Sequence, residues 1–295
     1  MYKARVFVIS LFFMLLLLAL YITFAKPAAR LEEDVGPVAQ VAGNGKYAGV
    51  TEAFRENIFE AGLIPEDIGQ YTLKPEERAS LVYSFLQGPK SYGEGIPWGG
   101  SWCEETVGYN TFGGFGCGFC CMANIYSTLT DYECSPLDIY EFAKTASKYY
   151  PTSESGAIGW KDMKKTLKAA GFQCKNYRKP ATYEEFQEQM RHTLSAIVLV
   201  SSAEDASFWQ NTPGHYVNIW LYQQEEDTVF LAEPGDPVNN RTWIPLRYVY
   251  DALKTVSQYQ YLAVTSYSEE DNTWKWDGID VVWNGKYGKI NWESP

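Results

Sequence analysis

Near residue 195 the hydrophobic spacing of this chain changes period, and that change limits the folds open to it. Before it, apolar residues recur at helical spacing: Met122, Ile125, Tyr126 and Leu129 fall on one stripe. After it, 196–201 is a short apolar β-branched run. Residues 216–222 then alternate Val217, Ile219 and Leu221 against Asn218 and Trp220. Residues 229–232 follow an acidic turn at 225–227, so the two runs predict a hairpin. Helices first and strands afterwards is an α+β order: an N-terminal helical layer packed on a C-terminal antiparallel sheet.

The helix signals are local. Residues 51–62 and 75–87 have helical spacing, carried by Phe54, Ile58 and Phe59, then by Leu81, Val82 and Phe85. The first strong helix is 118–130. Ser135 caps the next, with Pro136 at its first position and Asp138 in its first turn. A third runs 159–170, ended by Gly171. A fourth runs 182–194, where Thr182 and Glu185 have capping-box spacing. Residues 245–254 read as helix and 259–265 as strand. The stretch 88–116 is rich in Gly, Trp and Tyr and reads as a long ordered loop of functional kind. The tail 268–295 is rich in Trp and Asp, with a possible strand at 279–283.

Residues 6–25 are almost wholly apolar and follow Lys3 and Arg5. Twenty such residues as a helix span roughly 30 Å, one bilayer core. They predict an uncleaved signal anchor; a cleaved signal peptide with its site at Thr23-Phe24-Ala25 is the alternative. Residues 1–25 are thus the leader and 26–50, rich in Ala, Pro, Gly and acids, a stalk. A single domain fills 51–267, and 268–295 is an extension. The domain is expected outside the cytoplasm, tethered to the membrane by the N-terminal helix or secreted. The net charge of −11 argues against nucleic-acid binding, which needs a basic face. No cofactor is called for, and nothing in the pattern specifies an oligomer.

Six cysteines in an exported chain invite a disulfide reading, and Cys103, Cys134 and Cys174 are the candidates for pairing. Cys117, Cys120 and Cys121 lack a second cluster at metal-ligand spacing, so no metal is expected. Cys120 and Cys121 read as core filler. Cys117 differs. It stands between Gly116 and Gly118 at a predicted helix start, where a thiol is activated as thiolate and where free amides can hold an oxyanion. The glycines read as allowing a sharp turn and close substrate approach. The bland alternative is a buried, inert cysteine. Of the two histidines, His192 looks like a surface residue, and His215 opens a strand. A histidine acting as base and then acid needs an orienting acceptor. Glu233 and Asp236, each followed by a proline that holds it extended, are the candidates. Asn240-Arg241-Thr242 carries the pattern of an N-glycosylation acceptor.

The string Cys117-Gly118-Phe119-Cys120-Cys121-Met122-Ala123 resembles the Cys-Gly-Pro-Thr-x-x-Ala helix of the C39-like peptidases, a papain-like family. Gly214-His215-Tyr216-Val217 is similar to that family's Gly-His-[Tyr/Phe]-Val strand, and Glu233-Pro234-Gly235 falls where the family has Asp-Pro. The resemblance covers roughly 110–262. It implies a papain-like fold and a thiol peptidase with Cys117 as nucleophile, His215 as proton shuttle and Glu233 as orienting acid, Asp236 in reserve. The family's oxyanion glutamine is missing from 98–116, which leaves Asn110 and Gln87 as candidates. Phe119 replaces the family's proline. The substrate implied is a peptide or protein. Two alternatives stand beside this: a catalytically silent domain that binds peptide or cell-wall ligands, and an amidase or acyl transferase using the same triad.

Overall fold

Most predicted helices form, and their caps explain where they start. A computed structural model describes residues 74–87, 106–107, 110–152 and 156–278. The helices are α1 (Pro75–Ser80), α2 (Phe112–Phe115), α3 (Cys117–Leu129), α4 (Pro136–Ala146), α5 (Trp160–Ala169), α6 (Tyr183–Arg191) and α7 (Leu246–Ala252). In α4 the Ser135 hydroxyl accepts from Asp138 N at 3.1 Å, while Asp138 Oδ2 accepts from Ser135 N at 2.7 Å. In α6 Thr182 caps Glu185 N at 3.2 Å, but the Glu185 carboxylate reaches one residue further back, to Ala181 N at 3.1 Å. Gly171 follows α5 at φ 90°, the left-handed conformation that ends helices cheaply only at glycine.

The stretch 75–87 departs from its spacing. α1 ends at Ser80 and the chain runs out of helix to Gln87. Partners from distant segments claim the backbone there. Tyr83 N donates to Thr128 Oγ1 at 2.9 Å, and Phe85 N to Asn124 Oδ1 at 2.8 Å. The Arg241 guanidinium donates to the carbonyls of Val82 and Ala79 at 2.6 and 2.9 Å. Tertiary hydrogen bonds thus override a helical pattern that is only a weak prior.

The strands are β1 (Thr106–Val107) and β2 (Asn110–Thr111), a small hairpin, then β3 (Ala170–Tyr177), β4 (Ser195–Ser202), β5 (Thr212–Gln223), β6 (Thr228–Ala232), β7 (Thr242–Pro245) and β8 (Tyr261–Asn272). The last six form one antiparallel sheet in the order β3-β8-β4-β5-β6-β7. The fold is therefore α+β, as the period change predicts. β3 and β7 are additions to the sequence reading, and β8 runs past residue 267 into the stretch read as an extension.

The sheet is covered on both faces, which the reading of a single helical layer did not foresee. Along β4, Ile197 and Leu199 join the core beneath α3, α4 and α5. Ala196, Val198 and Val200 join a second core with Phe186 and Met190 of α6 and Val249 of α7. Alternation at period two sends successive residues to opposite faces.

Among the described cysteines, Cys117, Cys120, Cys121, Cys134 and Cys174 are all free thiols, so Cys134 and Cys174 do not pair. Cys103 lies outside the described residues. So do the leader 1–25, the stalk 26–50, the predicted helix 51–62 and the predicted strand 279–283. Among the described residues no helix is long and apolar enough to cross a membrane.

Candidate functional site

Cys117 is the first residue of α3, one residue after α2 ends. Gly116 and Gly118 do not serve as turn residues there. Gly116 has φ −75°, and a Cβ on it would lie 2.6 Å from Phe112 O. A Cβ on Gly118 would lie 2.7 Å from Ile158 Cγ2. The glycines let α2 abut α3 and let the loop before α5 pack against the first turn of α3. Cys120 and Cys121 are fully buried, and their thiols are pushed well up by burial and by the nearby Cys117. Both are core residues, as the sequence implies.

His215 lies near the start of β5, where Cys117 acts on its ring electrostatically. Its Nε2 donates to Glu233 Oε1. Burial works to lower the His215 pKa, but the Glu233 carboxylate and Cys117 outweigh it, and the pKa is pushed up to about 10. The ring is therefore an imidazolium at neutral pH, the form that favours a thiolate beside it.

Glu233 follows β6 directly and its side chain is only 2% exposed. A buried carboxylate needs its lone pairs filled. Gly235 N donates to Oε1 at 2.9 Å and Trp209 Nε1 to Oε2 at 2.8 Å. A Cβ on Gly235 would lie 3.1 Å from both Cε1 and Nε2 of His215, so the glycine lets the backbone close over the ring. Asp236, the reserve acid, turns away. It caps its own turn, accepting from Val238 N at 3.0 Å and Asn239 Nδ2 at 2.9 Å.

Asn240 anchors the acid from behind. Its Oδ1 accepts from Glu233 N at 2.9 Å and from the Ser84 hydroxyl. The amide of the Asn240-Arg241-Thr242 pattern is thus engaged inside the fold. Gln87, at the end of the same extended segment, joins both sides of the site. Its backbone N donates to Pro234 O at 2.7 Å, and its Nε2 to Gly113 O, on the turn before Cys117, at 2.9 Å. Asn110 sits in β2, on the hairpin that leads into α2.

A buried amide pair sets α3, which Cys117 begins, against β5, which carries His215. Asn124 Nδ2 of α3 donates to Asn218 Oδ1 of β5 at 3.0 Å, and both residues are fully buried. Trp209, Asn240, Asn124 and Asn218 are site residues that the sequence reading missed. The alternation read along 216–222 set Asn218 on the face opposite Val217 and Ile219, and burial of that face too is what the sequence did not show; Asn124 lies on the helix that Cys117 begins. Among the described residues no group of three His, Cys, Asp or Glu side chains could hold a metal ion.

In chemical terms the site is a thiol, an imidazolium and a buried carboxylate in series, with an amide side chain held next to the thiol's turn. Such a series can activate a nucleophile, shuttle a proton and orient the shuttle. No protein-family model matches the chain, and no curated protein matches its sequence.

Proposed function

We propose that this protein is a thiol peptidase of papain-like architecture, working outside the cytoplasm. One observation carries the reading: His215 is bonded to the buried Glu233 carboxylate, and its pKa is set by Glu233 and Cys117 together. Cys117 attacks the scissile carbonyl as thiolate, and His215 gives its proton to the leaving amine. The acyl-enzyme is then hydrolysed by water that His215 deprotonates. Glu233 holds the ring in position throughout. Gln87 Nε2, held at Gly113 O on the turn before Cys117, is the candidate side-chain donor for the oxyanion. The extracytoplasmic location rests on the apolar run 6–25 alone.

The α+β order, the helix-borne cysteine and the strand-borne histidine support the papain-like assignment. The test is hydrolysis of a mixed peptide library by wild type, Cys117→Ala and His215→Ala. Both variants should lose turnover by about a thousandfold or more. Full turnover in either variant sinks the proposal. A second reading, a silent binding domain, draws support from Gln87, whose amide is bonded to Gly113 O. It predicts no turnover even in wild type, together with saturable peptide binding that survives Cys117→Ala.

A further inference from the structure

His215 follows a glycine whose missing side chain is filled by a cation. A Cβ on Gly214 would lie 2.6 Å from Lys254 Nζ and 3.5 and 3.6 Å from its Cδ and Cε. Glycine at 214 leaves the ammonium its place against the backbone just before the histidine. Lys254 comes from the segment after α7, which lies along β4. Its backbone N donates to Leu199 O at 2.9 Å, and Leu253 before it bridges Val200. The base of the side chain is thus fixed. The ammonium donates to Pro213 O. Two of its three protons remain for another acceptor. Among the described residues no ion pair uses Lys254.

Leu253 joins Val200 in the core beneath α6 and α7, which holds the backbone before Lys254 in place. A chain of contacts closes the arrangement. The Tyr216 ring would touch a Cβ on Gly118 at 3.4 Å, and it packs edge-on to Trp160 with centroids 5.1 Å apart. Trp160 Nε1 donates to Ser257 Oγ at 3.0 Å, and Ser257 N to Lys254 O at 3.2 Å. The path runs from the residue after the nucleophile, across two aromatic rings, to the lysine against the backbone just before the histidine.

We infer that Lys254 is a specificity residue: it binds a carboxylate on a substrate residue flanking the scissile bond. This rests on the peptidase reading of Cys117 and His215. The chain's net charge of −11 repels anions at long range, so the selection acts at contact distance, where one ammonium outweighs a screened field.

The experiment uses the full chain and peptidyl acyloxymethyl ketones, which alkylate an activated cysteine. Matched probes carry Glu or Gln at each of the first three positions before the reactive group, and labelling at Cys117 is followed by intact mass. The readout is the Glu/Gln rate ratio within each variant, which absolute activity does not affect. In wild type one position should show a ratio of about ten, the size expected for one charged hydrogen bond. Lys254→Met should bring the ratio to about one, Lys254→Glu should invert it, and Lys254→Arg should keep it above one. A wild-type ratio near one at all three positions overturns the inference and leaves the peptidase reading standing. So does a ratio that survives in Lys254→Met. Failure of every peptide probe to label Cys117, with iodoacetamide still reacting there, overturns both.

Discussion

The two sides of Cys117 are held differently. On the base side His215, Glu233, Gly235, Trp209 and Asn240 form a closed network in which each carboxylate oxygen has a protein donor. On the donor side Gln87 is fixed by its backbone, but its side chain makes one bond, to Gly113 O, and its buried Oε1 has no partner. A network with every member satisfied is rigid, and one with an orphaned atom is open to rearrangement. On the peptidase reading the base is set before substrate arrives, whereas Gln87 has one Nε2 proton on Gly113 O and its second left for the oxyanion.

The largest expected effect breaks the rigid side. Glu233→Gln should lower turnover by about a thousandfold or more, because the ring loses the charge that orients it and supports its proton. It should also move the alkaline limit of activity. In wild type the protonated ring persists until pH approaches about 10. Without the carboxylate the remaining burial favours the neutral ring, so the limit shifts towards lower pH. The sign for stability is the same. The folded state holds this proton above the ordinary 6.5, so the contribution is complete below about 6.5 and fades as pH rises through about 10. A pH–rate profile and urea melts at pH 7 and 10 read both. An unmoved alkaline limit in Glu233→Gln would show that the carboxylate does not govern the ring.

The next effect sharpens the comparison from the other side. Gln87→Ala should cost about a hundredfold in turnover, the size seen when one oxyanion donor is removed. The rate at which iodoacetamide labels Cys117 should barely change, since the Cys–His pair is held from elsewhere. Equal loss of both would mean that Gln87 supports the pair and donates nothing to the oxyanion.

How much of this the sequence made legible follows the same division. The α+β order and most elements after residue 117 were readable, because caps, glycine stops and period-two alternation act over a few residues. The series Cys117, His215 and Glu233 was readable because each residue is rare or specially flanked. Trp209 and Asn240 were not, since an indole donating to a carboxylate across a sheet leaves no local pattern. The chain path of 81–87 was also hidden. Its apolar spacing fits a helix, and only the arrival of Asn124, Thr128 and Arg241 draws it out of one. Gln87 was among the candidates, but its distance from Cys117 in sequence obscured the fold that brings it to Gly113.

Two smaller effects separate charge from fit on the rigid side. Trp209→Phe keeps the ring and removes the Nε1–H bond to a buried carboxylate. It should destabilise the fold by about 1–3 kcal/mol in a chemical melt, with turnover falling roughly tenfold. An unchanged melt would mean that water replaces the indole. Gly235→Ala is the mildest change. The new methyl would sit 3.1 Å from two atoms of the His215 ring, tighter than ordinary contact, and the ring would have to yield by a few tenths of an ångström. The ring has little slack, because Nε2 is bonded to Glu233. The shift therefore either lengthens that bond or moves the ring relative to Cys117. Turnover should drop several-fold while the alkaline limit stays within about half a pH unit, since the carboxylate is still present. A drop in rate with a moved limit would mean that the methyl separates ring from acid. A drop without one would place the displacement on the sulfur side, where a small misalignment costs rate and leaves the charge balance intact.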